Sequence, residues 1–299
     1  MSSQPSSRIA VVIASTGRPT ELERWVDHVK RQTFPPTRLV YAVAKSTDLP
    51  DWKKIPDQVT VVDCGPGLPI QRNAALEAVV EACDIIAYFD DDFIPSSFCM
   101  EGIDALFRLY PDVVAANGTL LADGINSSGI SYEEAAELVA RHDSLPRAQP
   151  TVLHELAGLY GCNMVYRVSA IGRERFDEQL PLYAWQEDID FAARVGRSGR
   201  IVKTNAFHGV HQGVKGARLP GVRLGYSQVV NPIYLARKGT LSPREATKLV
   251  LKNILMNHAR CLFPEPWIDR PGRCKGNWLA VLDMLRGRDH PKNILNLTR

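Results

Sequence analysis

The sequence predicts an α/β fold, a mostly parallel sheet with helices on both faces, followed by a C-terminal helical extension. Three observations predict it. Short runs rich in Val, Ile and Ala alternate with segments of helical periodicity. These runs are apolar at successive positions, as strands buried on both faces are, rather than at every second position. The polar clusters stand where the runs stop, and open parallel sheets bind ligands at that end of their strands.

"RIAVVIAS" (8–15) reads as the first strand and "PTELERWVDHVKRQT" as a helix with Leu22, Trp25, Val26 and Val29 on one face. "RLVYAVAK" (38–45) and "QVTVVDC" (58–64) repeat the strand signal, and "IQRNAALEAVVEAC" (70–83) is a second helix. "DIIAYF" (84–89) is a strand that runs into Asp90, Asp91 and Asp92; "SSFCMEGIDALFRLY" then reads as a helix and "DVVAANGTLL" (112–121) as a strand. Residues 122–152 are less regular, with "DGINSSG" as a loop and "SYEEAAELVARH" as a helix. A strand-like run covers 160–171 and a helix 187–199, ended by Gly199. "HGVHQGVKGARLPG" reads as a glycine-rich loop. A helix then starts at Ser242, with Pro243 at its first position and Glu245 completing a capping box, and "GNWLAVLDMLRG" is the last helix.

With 45% hydrophobic and 23% charged residues, the 299-residue chain has the composition of a soluble globular protein. No apolar run approaches the ~18 residues of a membrane span, and "MSSQPSSR" lacks the apolar core of a signal peptide, so a cytoplasmic location is expected. The six cysteines form no CxxC pair and read as reduced structural thiols. The net charge of +3 hides an asymmetry: from Arg237 onward 13 basic residues face 5 acidic ones. A basic back half suits a polyphosphate ligand, an anionic membrane surface or nucleic acid. Nucleic acid is not expected, since the tail has no interleaved aromatic residues and no known motif.

Three adjacent carboxylates repel one another, and burying an unpaired charge is costly. A divalent cation removes the conflict. Alternate residues point the same way, so Asp90 and Asp92 are expected to share a face while Asp91 turns aside. Oxygen ligands of this kind suit Mg²⁺ or Mn²⁺, whose coordination shell is commonly completed by substrate phosphates. The competing reading is an acidic turn that caps the following helix. A second acidic cluster, Glu187, Asp188 and Asp190 behind Trp185, fits either a helix N-terminus or a general base. His208 and His211 follow in a basic, glycine-flanked segment that can supply a metal ligand.

In order, "STGRP" after the first strand, "RN" in the second helix, "DDD", "GCNM", "ED" and a downstream histidine resemble family 2 glycosyltransferases of the GT-A fold. The resemblance spans roughly residues 8–225 and implies a Rossmann-like catalytic domain there. Its nucleotide-sugar-binding half is expected at 8–121 and its acceptor half at 122–225, between a disordered 1–7 and the helical extension 226–299. It also implies a nucleotide-sugar donor held by Ser15, Thr16, Arg18, Arg72, Asn73, Asp90 and Asp91. Asp92 and His211 are the implied ligands of Mg²⁺ or Mn²⁺, Asp188 the base, and Trp185 and Glu187 the contacts to a glycan or lipid-linked acceptor. The sequence departs from the family at the aspartate that in many members follows the second strand and reads uracil: here the strand ends "AKSTD", with Asp48 displaced by several residues and Asp63 after the third strand as another replacement, which leaves the base open.

The implied reaction is a single displacement with inversion at the anomeric carbon. Two other classes compete with it, a nucleotidyltransferase of similar fold and a non-catalytic membrane-associated scaffold. The helix from Ser242 is amphipathic and basic, so it either docks on an anionic membrane surface as a peripheral contact or packs on the catalytic domain.

Overall fold

The computed structural model describes residues 6–51, 53, 56–216 and 220–297. The disorder expected for 1–7 therefore falls, apart from Ser6 and Ser7, outside the described residues. Ser7 is tied down, its N–H donating to Asp104 Oδ1 at 2.9 Å. In chain order the elements are β1 (Ile9–Ser15), α1 (Pro19–Lys30), β2 (Arg38–Val43), β3 (Val59–Asp63), α2 (Leu68–Val79), β4 (Ile85–Asp90) and β5 (Phe93–Pro95). Then come α3 (Cys99–Leu109), β6 (Val113–Asp123), α4 (Tyr132–Asp143), β7 (Val152–Glu155), β8 (Asn163–Arg167), α5 (Val168–Ile171), α6 (Glu187–Val195) and β9 (Arg200–His211). Helices α7 (Gly221–Lys238), α8 (Pro243–Arg260) and α9 (Arg270–Leu285) complete the chain.

The chain forms two compact units. The first takes in the chain up to Pro66, Ile70–Arg175 and Val195–Lys215, and it contains the whole nine-stranded sheet, ordered β3-β2-β1-β4-β8-β6-β9-β5 with β7 also paired to β9. The expected mostly parallel sheet is present: β1, β2, β3 and β4 pair in parallel, as do β6 and β9, while β8 runs antiparallel between β4 and β6. In β1 both faces are buried, Ile9, Val11 and Ile13 on one and Ala10 and Val12 on the other. The first set joins Leu22, Trp25 and Val26 of α1 and Leu106 and Phe107 of α3 in the main core. Five buried aliphatic side chains of this size contribute about 1.5–3 kcal/mol each for the larger ones, so β1 anchors the sheet.

Residues 208–211, expected as loop, are the end of β9. Gly209 misled the expectation: it lies in the strand because a Cβ there would meet the Phe93 ring and the Ile94 carbonyl of β5. A strand signal was also missing in β9 because Lys203, Thr204 and Asn205 interrupt its apolar residues. Helix α7 was equally illegible, with Pro232 inside it and glycines facing a neighbour. Helix α9 starts at Arg270, six residues ahead of the expected "GNWLAV", because Asp269 caps it by accepting from the Gly272 N–H at 2.8 Å.

The second unit takes in Gly67–Pro69, Phe176–Arg194 and Gly216 to the C-terminus. Ser242 caps α8 as expected: Glu245 N–H donates to Ser242 Oγ at 3.2 Å, and the Glu245 carboxylate accepts from the Ser242 hydroxyl at 2.6 Å. Tyr226, Val229 and Val230 of α7, Ala280 of α9 and Ile294 form its core. Buried Asn257 of α8 donates to Gln228 of α7 and to Asn277 of α9, at 2.9 and 3.0 Å, so one amide ties three helices. Helices α7 and α9 approach through glycines: a Cβ on Gly276 would meet the backbone of Val222 and Tyr226, and one on Gly225 the backbone of Arg273. Gly276→Val is expected to destabilise this unit by about 1–3 kcal/mol. Chemical denaturation followed by circular dichroism checks it, and an unchanged midpoint contradicts the close approach.

Candidate active site

The carboxyl ends of β1, β4, β6 and β9 gather the polar residues of the first unit. The parallel register sets Ala14 beside Asp90, and Asp123 beside His211. Chain direction changes at Asp91 and Asp92, where β4 has ended and β5 starts toward the edge of β9.

The turn separates the three aspartates. Asp91 points inward and is nearly enclosed, at 8% exposure. Its carboxylate accepts from Ser15 Oγ at 2.6 Å and from Arg18 Nη1 at 2.7 Å, and its carbonyl accepts from the Trp25 indole at 3.1 Å. Asp91 is thus bound to β1, the loop after it and α1. Asp90 and Asp92 share the other side. Asp92 Oδ2 accepts from the Val214 N–H at 2.7 Å, and its Oδ1 lies 3.4 Å from His211 Nε2. Asp90 Oδ2 is 3.7 Å from the same nitrogen, and Asp90 Oδ1 accepts from Arg72 at 3.5 Å. Arg72 is buried and also donates to the Gly161 carbonyl at 3.2 Å.

His211 is oriented from behind. Its Nδ1 faces Asp123 Oδ1 at 2.8 Å, and the Tyr160 hydroxyl donates to Asp123 Oδ2 at 3.2 Å. This leaves Nε2 directed at the carboxylates, the arrangement by which an outer carboxylate fixes a metal-binding imidazole. Donor atoms of Asp90, Asp92 and His211 all lie within 4.8 Å of one another. Two ligands at about 2.1 Å on opposite sides of one ion are about 4.2 Å apart, so small side-chain rotations close the set. Two hard oxygens and one imidazole nitrogen suit Mg²⁺ or Mn²⁺.

Charge in the cluster follows from this packing. Burial pushes the Asp91 carboxyl up to about 6, with Asp92 adding to the rise and Arg18 and Ser15 opposing it. Burial raises Asp90 as well, against the pull of His211 and Arg72. For Asp92 burial is outweighed by His211, Arg18 and the Val214 N–H, which together hold it below the ordinary carboxylate range. Burial alone would lower His211, yet Asp123, Asp92 and Asp90 raise it to about 10. His208 behaves oppositely: its ring sits 4.3 Å from that of His142, and burial with that neighbour lowers it to about 4. His211 is the histidine that the fold delivers to the aspartates.

Ser15, Arg18, Arg72, Asp90, Asp91, Asp92 and His211 are thus brought into one network in the first unit. Thr16 is exposed in the loop after β1, near Gln71, whose amide donates to the Ser15 and Ala42 carbonyls at 2.7 and 2.9 Å; Asn73 is buried on α2. Asp48 is buried in the 3₁₀ turn after β2, and Asp63 is exposed at the end of β3. Asp123, Tyr160 and the indole of Trp25 are the members that sequence reasoning missed. Only Asp123 carried a signal, an acidic residue closing an apolar strand.

Trp185, Glu187 and Asp188 belong to the second unit. Trp185 lies in, and Glu187 and Asp188 directly follow, a loop with three non-glycine residues in the left-handed region, Leu182 (φ 60°), Ala184 (φ 51°) and Gln186 (φ 75°). Each costs on the order of 1 kcal/mol or more, and such strain persists where the surroundings over-determine it. Here Asn231 donates to the Trp185 carbonyl at 2.9 Å, and Asp190, fully buried, is held by Lys238 at 2.9 Å, Thr240 at 2.7 Å and Arg194 at 3.0 Å. Asp190 is therefore the anchor of α6, while Glu187 and Asp188 occupy its first turn.

No protein-family model matches the chain, and no curated protein matches it by sequence. Solved structures do. The crystal structure of S. aureus TarS 1-349 aligns at 14% identity and TM-score 0.51, over 97% of this chain and 83% of that one. Another crystal structure of S. aureus TarS aligns at 13% identity and TM-score 0.48, over 85% of this chain and 43% of that one. The mannosyltransferase PcManGT from Pyrobaculum calidifontis, solved with GDP-Man and Mn²⁺, aligns at 12% identity and TM-score 0.51, over 98% of this chain and 86% of that one. At such identities the likeness establishes the fold, and the fold is the expected GT-A class.

Without metal, His211 stabilises the fold fully below pH 6.5, and that contribution is lost as pH rises through about 10. Denaturation of the metal-free protein is expected to show a loss of several kcal/mol across this window, and His211→Gln to abolish it. Equal pH dependence in the two proteins contradicts the assignment.

Proposed function

We propose that the chain is an inverting, metal-dependent glycosyltransferase of the family 2 type, moving a sugar from a nucleoside-diphosphate donor to a hydroxyl of a glycan or lipid-linked acceptor. The observation that carries this reading is the Asp90, Asp92 and His211 cluster at the sheet's carboxyl edge. The GT-A fold and the Mn²⁺ and GDP-Man in the mannosyltransferase PcManGT support it. Asp92 and His211 are assigned as the metal ligands with Asp90 beside them, and the imidazole nitrogen favours Mn²⁺ of the two ions. A bound divalent ion supplies positive charge toward a departing diphosphate.

In this reading the remaining roles fall to the chain's own groups. Ser15, Thr16, Arg18, Arg72 and Asn73 border the donor. Asp91, already committed to Ser15 and Arg18, acts by fixing that loop. Asp188 takes the proton of the acceptor hydroxyl as the new bond forms. Trp185 offers its ring to the apolar face of a sugar and Glu187 accepts from a sugar hydroxyl. The strain in the loop that carries Trp185 and leads into Glu187 and Asp188 supports a functional role for it.

A thermal-shift screen of nucleoside diphosphates is expected to raise the melting temperature only when Mn²⁺ is also present, and Asp92→Asn to abolish the gain. Asp188→Asn is expected to keep the gain and to lower turnover roughly 10²–10⁴-fold. Nucleotide binding indifferent to Mn²⁺ contradicts the metal role, and unchanged turnover in Asp188→Asn contradicts the base. Release of pyrophosphate in place of nucleoside diphosphate would make the enzyme a nucleotidyltransferase.

A further inference from the structure

The second unit carries an apolar face that its own core does not use. Residues 251–295 hold nine of the fourteen large apolar side chains that the described residues expose, including Phe263 at 84% and Leu285 at 80%. That concentration separates a patch from scattered surface leucines.

Helices α8 and α9 place the patch on one surface. They lie antiparallel: Cys261 and Cys274 approach to 3.2 Å between sulfurs, Asn257 donates to Asn277, and the Trp278 indole donates to His258 Nε2 at 3.0 Å. Val250 and Ile254 of α8 and Val281 and Met284 of α9 turn inward. With that register, Leu251 and Leu255 of α8 run beside Leu285, Leu282 and Trp278 of α9, and Phe263 closes the strip at the turn. A groove of about 440 Å³, lined by Ile233, Val250, Leu251 and Met284 among others, opens next to Leu251.

Charge selects the occupant. Exposed Lys248, Lys252, Lys275 and Arg286 surround the strip and make no ion pair among the described residues. The five acidic residues from Arg237 onward are engaged within the protein. Glu245 accepts from Ser242, Asp269 caps α9, Glu265 binds Arg270, Asp283 accepts from Tyr226, and Asp289 pairs with Arg237. A second copy meeting this face about a two-fold axis would bring like charges together. Of the nine exposed apolar side chains only Phe263 and Trp278 offer a ring to stack on a base, so the face suits acyl chains better than a nucleic acid.

We propose that this face of α8 and α9 docks on an anionic lipid bilayer. The aliphatic side chains, Phe263 and Trp278 would enter the interface while the lysines and Arg286 meet the headgroups. No helix of the described residues is long and apolar enough to cross a membrane, so the contact is peripheral.

Flotation of the full chain with vesicles tests this. The protein is expected to float with phosphatidylcholine vesicles that contain phosphatidylglycerol, to remain behind with phosphatidylcholine alone, and to be released by high salt. The double variants Leu255→Glu with Phe263→Glu, and Lys248→Glu with Lys252→Glu, are each expected to weaken binding at least about tenfold. Both should keep the wild-type melting temperature, because all four side chains are exposed. Three results would overturn the proposal: no flotation with anionic vesicles, equal flotation with both lipids, or a dimer in sedimentation that Phe263→Glu dissolves.

Discussion

The pairing of His211 with Asp92 and Asp90 is the interaction on which the first unit's polar edge depends. Asp90, Asp91, Asp92 and Asp123 bring four carboxylates to one end of the sheet, against Arg18, Arg72 and His211. Burying such a group of charges is tolerable only when each has a partner. Arg18 and Ser15 compensate Asp91, Arg72 reaches Asp90, and a protonated His211 stands between the other carboxylates. A cation occupying the place of that proton would serve the same electrostatic need, which is why the cluster reads as a metal site rather than as a structural ion-pair network.

The fold provides this arrangement through register. The parallel pairing of β1 with β4, and of β6 with β9, ends all four strands at one edge, so residues far apart in sequence meet there. The turn at Asp91 then divides consecutive aspartates between two tasks. Asp91 binds the edge together from inside, through Ser15, Arg18 and Trp25, and Asp90 and Asp92 remain directed at His211. A similar division holds in α6, where Asp190 is consumed as a buried anchor and Asp188 stays near the surface.

Much of this was legible in the sequence where a single local rule dominates. The β1 run, the α1 periodicity, the Ser242 cap and the aspartate triplet each follow from local patterning. Sequence reasoning failed where tertiary contacts decide. Gly209 looks like a loop residue until the Phe93 ring is seen against it, and Pro232 hides the helix that Gly225 and Gly276 pack together. Asp123 lies 88 residues from His211, too far for spacing to suggest that one orients the other. The left-handed residues at 182, 184 and 186 carry no glycine to announce them.

The central claim is that Asp92 and His211, with Asp90 beside them, bind a divalent cation in place of a proton. Calorimetric titration of the metal-free protein with Mn²⁺ near neutral pH, repeated in buffers of different ionisation enthalpy, measures it most directly. With His211 raised to about 10, binding is predicted to release about one proton per ion and to be lost in His211→Ala. Binding heat that is independent of the buffer, or Mn²⁺ affinity unchanged in that variant, would contradict it.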